Sequence, residues 1–295
     1  MDFFNVFVQQ IINGVSLGSI YALIALGYTM VYGIIKLINF AHGDIYMVGA
    51  YVSFFAITMA NMSIVPALII SMVVTALLGM LVERLAYAPL RHAPRISVLI
   101  TAIGMSFLLE YGSMYFVSPT PRTCPEVMGN LAYNIGGFAI NGQQLLIFAI
   151  TSILMVVLTY VVQKTKVGQA MRAVSFDTET AQLMGINANR IINFTFGIGS
   201  ALAAAGGVLV GVYYNSIDPL MGIMPGLKAF VAAVFGGIGS IPGAMAGGIM
   251  LGVIEALVSG FISSTFRDAA AFAILILVLL FRPSGIFGKA VREKV

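Results

Sequence analysis

The sequence has little charge, one cysteine and two histidines, and each shortage excludes a class of protein or site. Only 9% of its 295 residues are charged, whereas 60% are hydrophobic. Soluble domains are about a quarter charged, so the chain is not a soluble globular protein. The single cysteine, Cys124, excludes an internal disulfide and any metal cluster built on cysteines. The two histidines form no HExxH pattern, and the sequence therefore predicts no metal site.

Sequence patterns of catalysis are missing as well. The chain contains neither GxxxxGKS nor GxxxxGKT, the loop that holds ATP phosphates in many ATPases, and it has no nucleophile elbow. We therefore predict no catalytic residues, no enzyme activity and no cofactor bound by this chain. If ATP drives the protein, a separate subunit must hydrolyse it. The net charge of +4 comes from lysines and arginines at the ends of apolar segments, which predicts membrane topology rather than nucleic-acid binding.

Long apolar segments fill most of the chain, and its mean hydropathy is +1.01. A helix that crosses a bilayer needs roughly 20 mostly apolar residues. The apolar runs are continuous, which excludes the alternating pattern of a membrane β-barrel. The sequence predicts a single all-α domain over residues 1–295, a polytopic membrane bundle of about eight or nine transmembrane helices. The predicted spans cover about residues 3–35, 45–60, 64–82, 96–117, 143–162, 191–213, an interrupted element from 227 to 261, and 263–281.

Small residues recur at helical spacing in two of these segments. Gly14 and Gly18 form a GxxxG pair in the first span, and such pairs let two helices approach closely. A proline interrupts a later glycine-rich segment, so we expect a discontinuous or re-entrant element there. Segments 39–50 and 235–247 are both glycine-bearing interruptions, as in transporters with inverted repeats, although chance similarity is an equal alternative. A second packing stripe is predicted at every fourth residue, from Gly239 through Gly243 to Gly247.

A short polar interruption after the first span contains Asn39, His42 and Asp44. These residues are the strongest candidates for a functional polar cluster at the start of a helix. An acidic residue in the first turn interacts favourably with the helix dipole, so a capping role for Asp44 is the alternative to contact with a transported molecule. His42 could titrate near neutral pH, although a histidine at the membrane interface needs no such role.

Glu110 and Glu255 are the acids within the predicted spans. Charges at membrane depth are costly and usually face a cavity or a partner. We expect Glu255 to pair with Arg267; the alternative is that both acids lie near the outer headgroups. The sequence shows no strong ionic site deep in the membrane, which argues against a proton- or sodium-coupled carrier and favours a smooth, weakly selective pathway.

The longest polar island of the chain, residues 164–190, separates two apolar spans. Helix-forming residues run from about 168 to 184, and Gly185 should end the helix because glycine accepts the left-handed backbone of a helix end. A short polar helix between two membrane spans has nothing of its own to bury there. It is therefore either a solvated loop or a surface that another protein holds.

Part of this polar island resembles a known motif. Glu179-Thr180-Ala181, followed after three residues by Gly185, resembles the EAAxxxG coupling motif of ABC importer permeases, with Thr180 as the one departure. The resemblance implies that the short helix docks into a groove on a cytoplasmic ATPase subunit and transmits its motion to the membrane spans. It implies a coupling role for Arg172, Glu179, Ala181 and Gly185.

Five segments spread over nearly the whole chain carry a resemblance to a known family. They are NGVSLGSIYAL at 13–23, INFAHGD at 38–44, GQAMRA at 168–173, AQLMGI at 181–186 and FGGIGSIPGA at 235–244. In these segments and in their order, the chain resembles LivH-type permeases, the membrane subunits of branched-chain amino acid ABC importers. This family more often carries Glu where the chain has Asp44, a mild departure.

The resemblance implies partners and a substrate class. It implies a heterodimer with a related second permease subunit and two cytoplasmic ABC ATPase subunits, which bind ATP and magnesium. It also implies an extracytoplasmic binding protein that captures leucine, isoleucine or valine. The alternatives that stay open are transport of urea, short amides or other amino acids by the same family, an ion-coupled secondary transporter, and a scaffold without a pathway.

The distribution of basic residues predicts the orientation of the chain. Basic residues favour the cytoplasmic side, and the basic segments are residues 84–95, 164–190 and 282–294. Placing all three inside puts the N-terminus outside and the C-terminus in the cytoplasm of a prokaryotic inner-membrane protein. The proline-rich segment 118–142 then lies outside, where we expect an irregular loop.

Overall fold

The computed structural model describes residues 3–37, 39–91, 93–125, 132–135 and 138–288. Seven of its helical segments are long and apolar enough to cross a membrane, and two further helices of 17 and 14 residues are shorter. The predicted all-α membrane bundle is confirmed, and the count of eight or nine crossings is approximate. The helices are α1 (Phe3–Ile35), α2 (His42–Thr58), α3 (Ile64–Val82), α4 (Arg95–Phe116), α5 (Gly142–Lys164), α6 (Lys166–Phe176), α7 (Thr178–Leu183), α8 (Ala188–Tyr214), α9 (Ile223–Gly236), α10 (Ile241–Phe261) and α11 (Arg267–Phe281).

Short turns and strands connect these helices. A π-helical turn at Glu83–Tyr87 and a 3₁₀ turn at Ala88–Leu90 follow α3, and a 3₁₀ turn at Ser264–Phe266 precedes α11. The strands are β1 (Arg122–Thr123), β2 (Ala132–Ile135), β3 (Phe138–Asn141) and β4 (Ser216–Ile217). Ile38 of the second matching segment, His92 of the first basic segment and residues 289–295 of the basic tail lie outside the described residues.

The helix α1 is the centre of the bundle. Every residue from Ser16 to Val31 is buried, as expected for a helix that is apolar all round. Gly14 and Gly18 face the backbone of α10 at Val253 and Ile249, where an added Cβ would collide. The close approach that the glycine pair indicates therefore lies between α1 and α10.

The helix α8 forms a second buried wall of the bundle. It packs against α1, α2 and α3. Ala204 lies against Gly49 of α2, and Gly207 lies against the backbone carbonyl of Tyr46. Small residues thus bring the backbones of α2 and α8 together.

The predicted glycine-rich interruption lies between α9 and α10. Gly237 has a φ of +109°, and Ser240 starts α10 by accepting a hydrogen bond from the Gly243 backbone N–H at 3.2 Å. Gly243 and Gly247 pack against the α9 backbone at Gly236. The packing stripe was wrong for Gly239, because this residue lies in the turn and no described atom lies within 4 Å of the position that its Cβ would take.

The helices α4 and α11 lie at the edge of the bundle. Only 17% of the apolar window of α4 and 6% of that of α11 are buried, against 89% for α8. Their exposed side chains are large and apolar, including Phe107, Ile276 and Leu280. These faces suit contact with lipid or with another membrane subunit.

The segment predicted as an irregular loop contains strands. Strands β2 and β3 form an antiparallel hairpin, and β1 pairs with β4. The backbone N–H of Cys124 donates to the Asn215 carbonyl at 3.1 Å, and the half-buried Cys124 side chain follows β1. Gln9 of α1 holds the hairpin, since its amide bonds to both the carbonyl and the N–H of Ala139, at 2.9 and 3.1 Å. Residues 126–131 and 136–137 of the predicted loop lie outside the described part of the chain.

Candidate functional site

The polar island, residues 164–190, folds into two short helices, α6 and α7. The prediction of a single helix from about 168 to 184 was wrong, because Asp177 has extended backbone, with φ −153° and ψ 110°. Its carboxylate accepts hydrogen bonds from the backbone N–H and the hydroxyl of Thr180, at 3.0 and 2.7 Å. These bonds hold the pKa of Asp177 below its ordinary value, so this cap is charged at neutral pH.

Gly185 ends α7 with a φ of +85°, as the sequence predicts. The Ile186 N–H donates to the Ala181 carbonyl at 3.0 Å, and the Gly185 N–H donates to Gln182 at 2.9 Å. This pair of bonds is the Schellman arrangement, which needs a residue with positive φ. Ala181 is buried beneath the turn, whereas Glu179 is exposed.

One face of the island is tied to the membrane helices. Met171 and Val174 are buried, and Gly168 lies against the backbone of Val162 at the end of α5. The guanidinium of Arg172 donates to the Val162 carbonyl. A cavity of about 90 Å³ separates Arg172 from Thr29 and its neighbours near the end of α1. Arg172 therefore lies where the island, α1 and α5 meet.

Other residues of the island present large apolar side chains to solvent. Phe176 is 95% exposed, Leu183 is 87% exposed and Met184 is 79% exposed. The surrounding residues are polar or charged, and Glu179 lies within the same segment. Large apolar groups exposed on a polar surface indicate a contact site for another protein.

Asn39 and His42 occupy separate environments in the buried part of the bundle. Asn39 accepts a hydrogen bond from the Tyr87 hydroxyl at 2.7 Å. The His42 ring lies 4.6 Å from that of Tyr28, between centroids, and packs against Gly27. Both residues support packing. Asn39, His42 and Asp44, which we expected to form one polar cluster at the start of α2, each have different contact partners.

Asp44 and Glu110 line one cavity of about 220 Å³. Asp44 lies in the first turn of α2, as the helix-dipole argument requires, but it is not the N-cap: Ala41 holds that position. The Asp44 carboxylate instead accepts a hydrogen bond from the Ser106 hydroxyl of α4. Glu110 is also buried. Gly222, just before α9, touches Gly43 at the edge of this cavity, so the starts of α2 and α9 meet beside the two acids.

Glu255 is fully buried at the centre of a second charged site. The predicted pair with Arg267 is confirmed, with Nε donating to Oε2 at 2.8 Å. Lys228 lies 3.1 Å from the same oxygen, and the Tyr21 hydroxyl donates to it at 3.0 Å. Lys228 also pairs with Asp268 at 2.6 Å. We call these five residues the charged cluster.

The charged cluster corrects the expectation that no strong ionic site is buried in this chain. Sequence reasoning missed Lys228, which is buried in the otherwise apolar helix α9. A single cation within an apolar helix was the available signal, because such a charge requires a partner. Its partners lie 27 and 40 positions further along the chain, so no local pattern links them.

Comparison with known proteins identifies the family of this chain. Residues 10–281 match the family model described as branched-chain amino acid transport system / permease component. The chain belongs to this family of permeases. The matched residues include the polar island, both buried acidic sites and the membrane helices except the first seven residues of α1.

Individual relatives extend along the whole permease. It is 46% identical to the high-affinity branched-chain amino acid transport system permease protein BraD of Pseudomonas aeruginosa, over 98% of both chains. It is also 46% identical to the protein LivH of Escherichia coli K12, which carries the same description, over 99% of both chains. The ribose import permease protein RbsC of Haemophilus influenzae is 27% identical, over 94% of this chain and 85% of its own.

Proposed function

We propose that this permease forms part of the membrane pathway of an ATP-driven importer for leucine, isoleucine and valine. The observation that carries the ATP-driven part is the polar island, which is anchored to α5 through Arg172 and exposes Phe176, Leu183 and Met184. The two relatives at 46% identity support the substrate, since both are named for branched-chain amino acids. The relative named for ribose is much less similar, at 27%.

The exposed face of the island binds a cytoplasmic ATPase subunit in this proposal. The three apolar side chains enter a groove of the ATPase, and Glu179 contacts its polar rim. Buried Ala181 and the Gly185 turn fix the shape of α7, while Arg172 carries its movement to α5. ATP and magnesium bind to two ATPase subunits, and this permease supplies the surface that they move.

The orientation of the permease follows from the two ends of α1. The hairpin β2–β3 bonds to Gln9 near the start of α1, whereas the cavity beside Arg172 is lined by Thr29, Gly33 and Ile34 near its end. A helix of 33 residues is about 50 Å long, more than the roughly 30 Å of the hydrocarbon core. If ATPases hold the island in the cytoplasm, the hairpin lies outside, facing the extracytoplasmic binding protein.

The exposed apolar faces of α4 and α11 leave room for the second permease subunit of the proposed heterodimer. The pathway lies between the two permeases, and Asp44 and Glu110 are candidates to line it because they face a cavity. Asn39 and His42 support this wall from within the bundle. The glycines Gly14, Gly18, Gly243 and Gly247 hold the helices that must move together.

An ion-coupled carrier is the rival class. The buried acids remove one objection to it, because ionisable groups do line cavities in this chain. The polar island still favours the ATP-driven importer, since a self-sufficient carrier has no use for a docking surface. Urea and other amino acids remain rivals for the substrate.

The test is uptake of labelled leucine by cells with and without the gene, with excess isoleucine, valine or urea as competitors. We expect deletion to abolish high-affinity leucine uptake, and isoleucine and valine to compete in the parent cells. The deletion strain must lack other leucine systems. Unchanged uptake in that background, or competition by urea alone, would contradict the proposed substrate.

A second measurement separates the two classes of transporter. The complete assembly is reconstituted in liposomes, and leucine uptake is followed with ATP inside and with ionophores that abolish ion gradients. ATP-dependent uptake without a gradient is expected. Uptake by this chain alone, driven by an ion gradient, would show a secondary carrier.

A further inference from the structure

The charged cluster contains two cations and two carboxylates, and it leaves one oxygen without a partner. Arg267, Lys228 and Tyr21 all donate to Oε2 of Glu255. Oε1 of the same carboxylate is buried and has no hydrogen-bond partner among the described residues. An unsatisfied buried acceptor costs free energy, more so when it carries charge. This oxygen is therefore available to a group that the described residues do not supply.

Two cavities flank the charged cluster. One has a volume of about 170 Å³ and is lined by Glu255, Arg267, Gln10, Asn13 and Ser259, among others. The other has a volume of about 190 Å³, and Lys228, Asp268 and Arg267 line it.

The two cavities share Leu17, Tyr214 and Arg267. Their combined volume exceeds the lower end of the size range of small-molecule sites, about 300 Å³. Arg267 therefore borders both cavities, and each cavity reaches part of the charged cluster.

The described residues do not use all of the N–H donors of Arg267. Nε donates to Glu255, and Nη2 donates to the hydroxyls of Tyr21 and Tyr214 at 3.3 and 3.2 Å. A guanidinium has five N–H donors in a planar fork that matches a carboxylate. Among the described residues the N–H groups of Nη1 have no acceptor, and they are available to one in the adjoining cavity.

We propose that the charged cluster binds the zwitterionic main chain of the transported amino acid. The α-ammonium group donates to Oε1 of Glu255, and the α-carboxylate accepts from Nη1 of Arg267. Lys228 and Tyr21 hold the Glu255 carboxylate in position by bonding to its other oxygen. This inference rests on the proposed function, because it assumes that amino acids pass through this permease.

The surroundings of the cluster fit such a ligand without selecting one side chain. The cavity walls include Leu17, Val210, Met224 and Ala256. These apolar groups accept leucine, isoleucine or valine, which differ by only one methylene or in branching, and a hydrophobic pocket discriminates weakly between such side chains. The site therefore recognises the α-ammonium and α-carboxylate groups that all three substrates share.

The position along α1 suits a binding site inside the bundle. Tyr21 lies about 27 Å from the start of α1 and about 21 Å from its end, at the rise of an α-helix. Tyr21, Lys228 and Glu255 are buried among the helices α1, α9 and α10, whereas Asp268 at the start of α11 is half exposed. A ligand bound there is held between helices on both sides of the glycine-rich interruption.

The test uses the complete assembly of both permease subunits and both ATPases in nanodiscs, without the binding protein. Leucine binding is measured by saturation-transfer difference NMR, which detects weak binding. We expect a leucine signal that excess isoleucine and valine remove. Leucinamide lacks the carboxylate and 4-methylpentanoate lacks the ammonium group, so neither should compete at the same concentration.

Two variants locate the site. Glu255→Gln removes the charge that holds the ammonium group, and Arg267→Lys replaces the guanidinium fork by a single point charge. We expect each variant to weaken leucine binding at least tenfold and to raise the KM for uptake more than it lowers kcat. Glu83→Gln is the matched control, because Glu83 is also a buried acid paired with an arginine, Arg91, and it lies outside both cavities.

The outcomes distinguish this inference from the proposed function. Normal leucine binding and normal KM in both variants would overturn the inference and leave leucine transport standing. The wild-type competition decides if the variants do not fold: competition by leucinamide or 4-methylpentanoate, or no leucine signal at all, overturns the inference. Failure of the wild-type assembly to take up leucine in liposomes would instead overturn the proposed function.

Discussion

The interior of the bundle and the polar island place residues in opposite environments. In the interior, charged residues sit among apolar helices and are held by one another, as Lys228, Glu255 and Arg267 show. In the island, apolar residues sit among polar ones and remain exposed, as Leu183 shows. The stability of the fold therefore depends on the ion pairs of the interior. The exposed apolar residues of the island contribute little to stability, and they are suited to contact with another protein. Substitutions in the interior should therefore lower the amount of folded protein, whereas substitutions in the island should lower leucine transport.

Replacing Lys228 by Met should have the largest effect on stability. The change leaves Glu255 with one cation and takes the partner from Asp268, and breaking a buried ion pair costs about 3–5 kcal/mol. We expect a lower apparent Tm and less monodisperse protein after detergent extraction, measured by fluorescence-detected size-exclusion chromatography. Adding Glu255→Gln should recover part of the loss, while the exposed Lys166→Met should behave as wild type. A fully stable Lys228→Met protein would show that the cluster does not support the fold.

Gly18→Ala should have the next largest effect. The added Cβ would meet the backbone of α10 at Ile249 within 3 Å, and overpacking of a close contact costs roughly 1–3 kcal/mol. The same measurement of Tm applies. Gly33→Ala on the same helix is the matched control, because its Cβ would meet only the Gly239 Cα at 3.8 Å. Equal Tm values for both variants would mean that α1 and α10 can separate freely.

Gly185→Val should destabilise the protein less than Gly18→Ala does, but it should impair transport. Valine at a φ of +85° is strained by about 1–2 kcal/mol, and the turn after α7 should distort. We expect normal membrane insertion but leucine uptake uncoupled from ATP hydrolysis, measured as uptake per ATP in liposomes. Gly185→Asn tolerates the same backbone and should retain coupling. Normal coupling in the valine variant would count against a role for this turn.

Leu183→Asp should leave stability nearly unchanged, within about 0.5 kcal/mol, as for most surface substitutions. Leu183 is exposed and supports no described core contact. We expect the variant to stay in the membrane, to lose co-purification with the ATPase subunits and to lose leucine uptake. Gln182→Asp places the same charge on the neighbouring exposed position and should retain most uptake. If Leu183→Asp still binds the ATPase subunits, the Leu183 side chain is not needed for docking.

The extent of the bundle could be predicted because the bilayer imposes helix length and hydrophobicity on every span. The sequence predicts α3 over 64–82, which matches its bounds, and the glycine-rich break before α10 is found where the prolines and glycines indicate it. The Glu255–Arg267 pair could also be predicted from the sequence, because the two residues lie only 12 positions apart on either side of one turn. These features depend on local composition or short separation.

The remaining features depend on contacts between distant segments. Lys228 acquires its role from Glu255, Asp268 and Tyr21, which lie on three other helices. The hairpin β2–β3 is held by Gln9, 130 positions earlier in the chain. The break at Asp177 was different, because a capping aspartate three residues before Thr180 is a local signal that the helix-forming composition of the island concealed.

The position of the one thiol has a practical consequence for measuring the motion of this transporter. Cys124 lies beside β4, and burial raises the pKa of its thiol to about 11, so little of the reactive thiolate forms near neutral pH. The natural protein therefore offers a nearly silent background for maleimide chemistry. A cysteine placed on the exposed end of α7 would be the main site of labelling, and the signal of a fluorophore or spin label there would report changes in the surroundings of α7 without prior removal of Cys124.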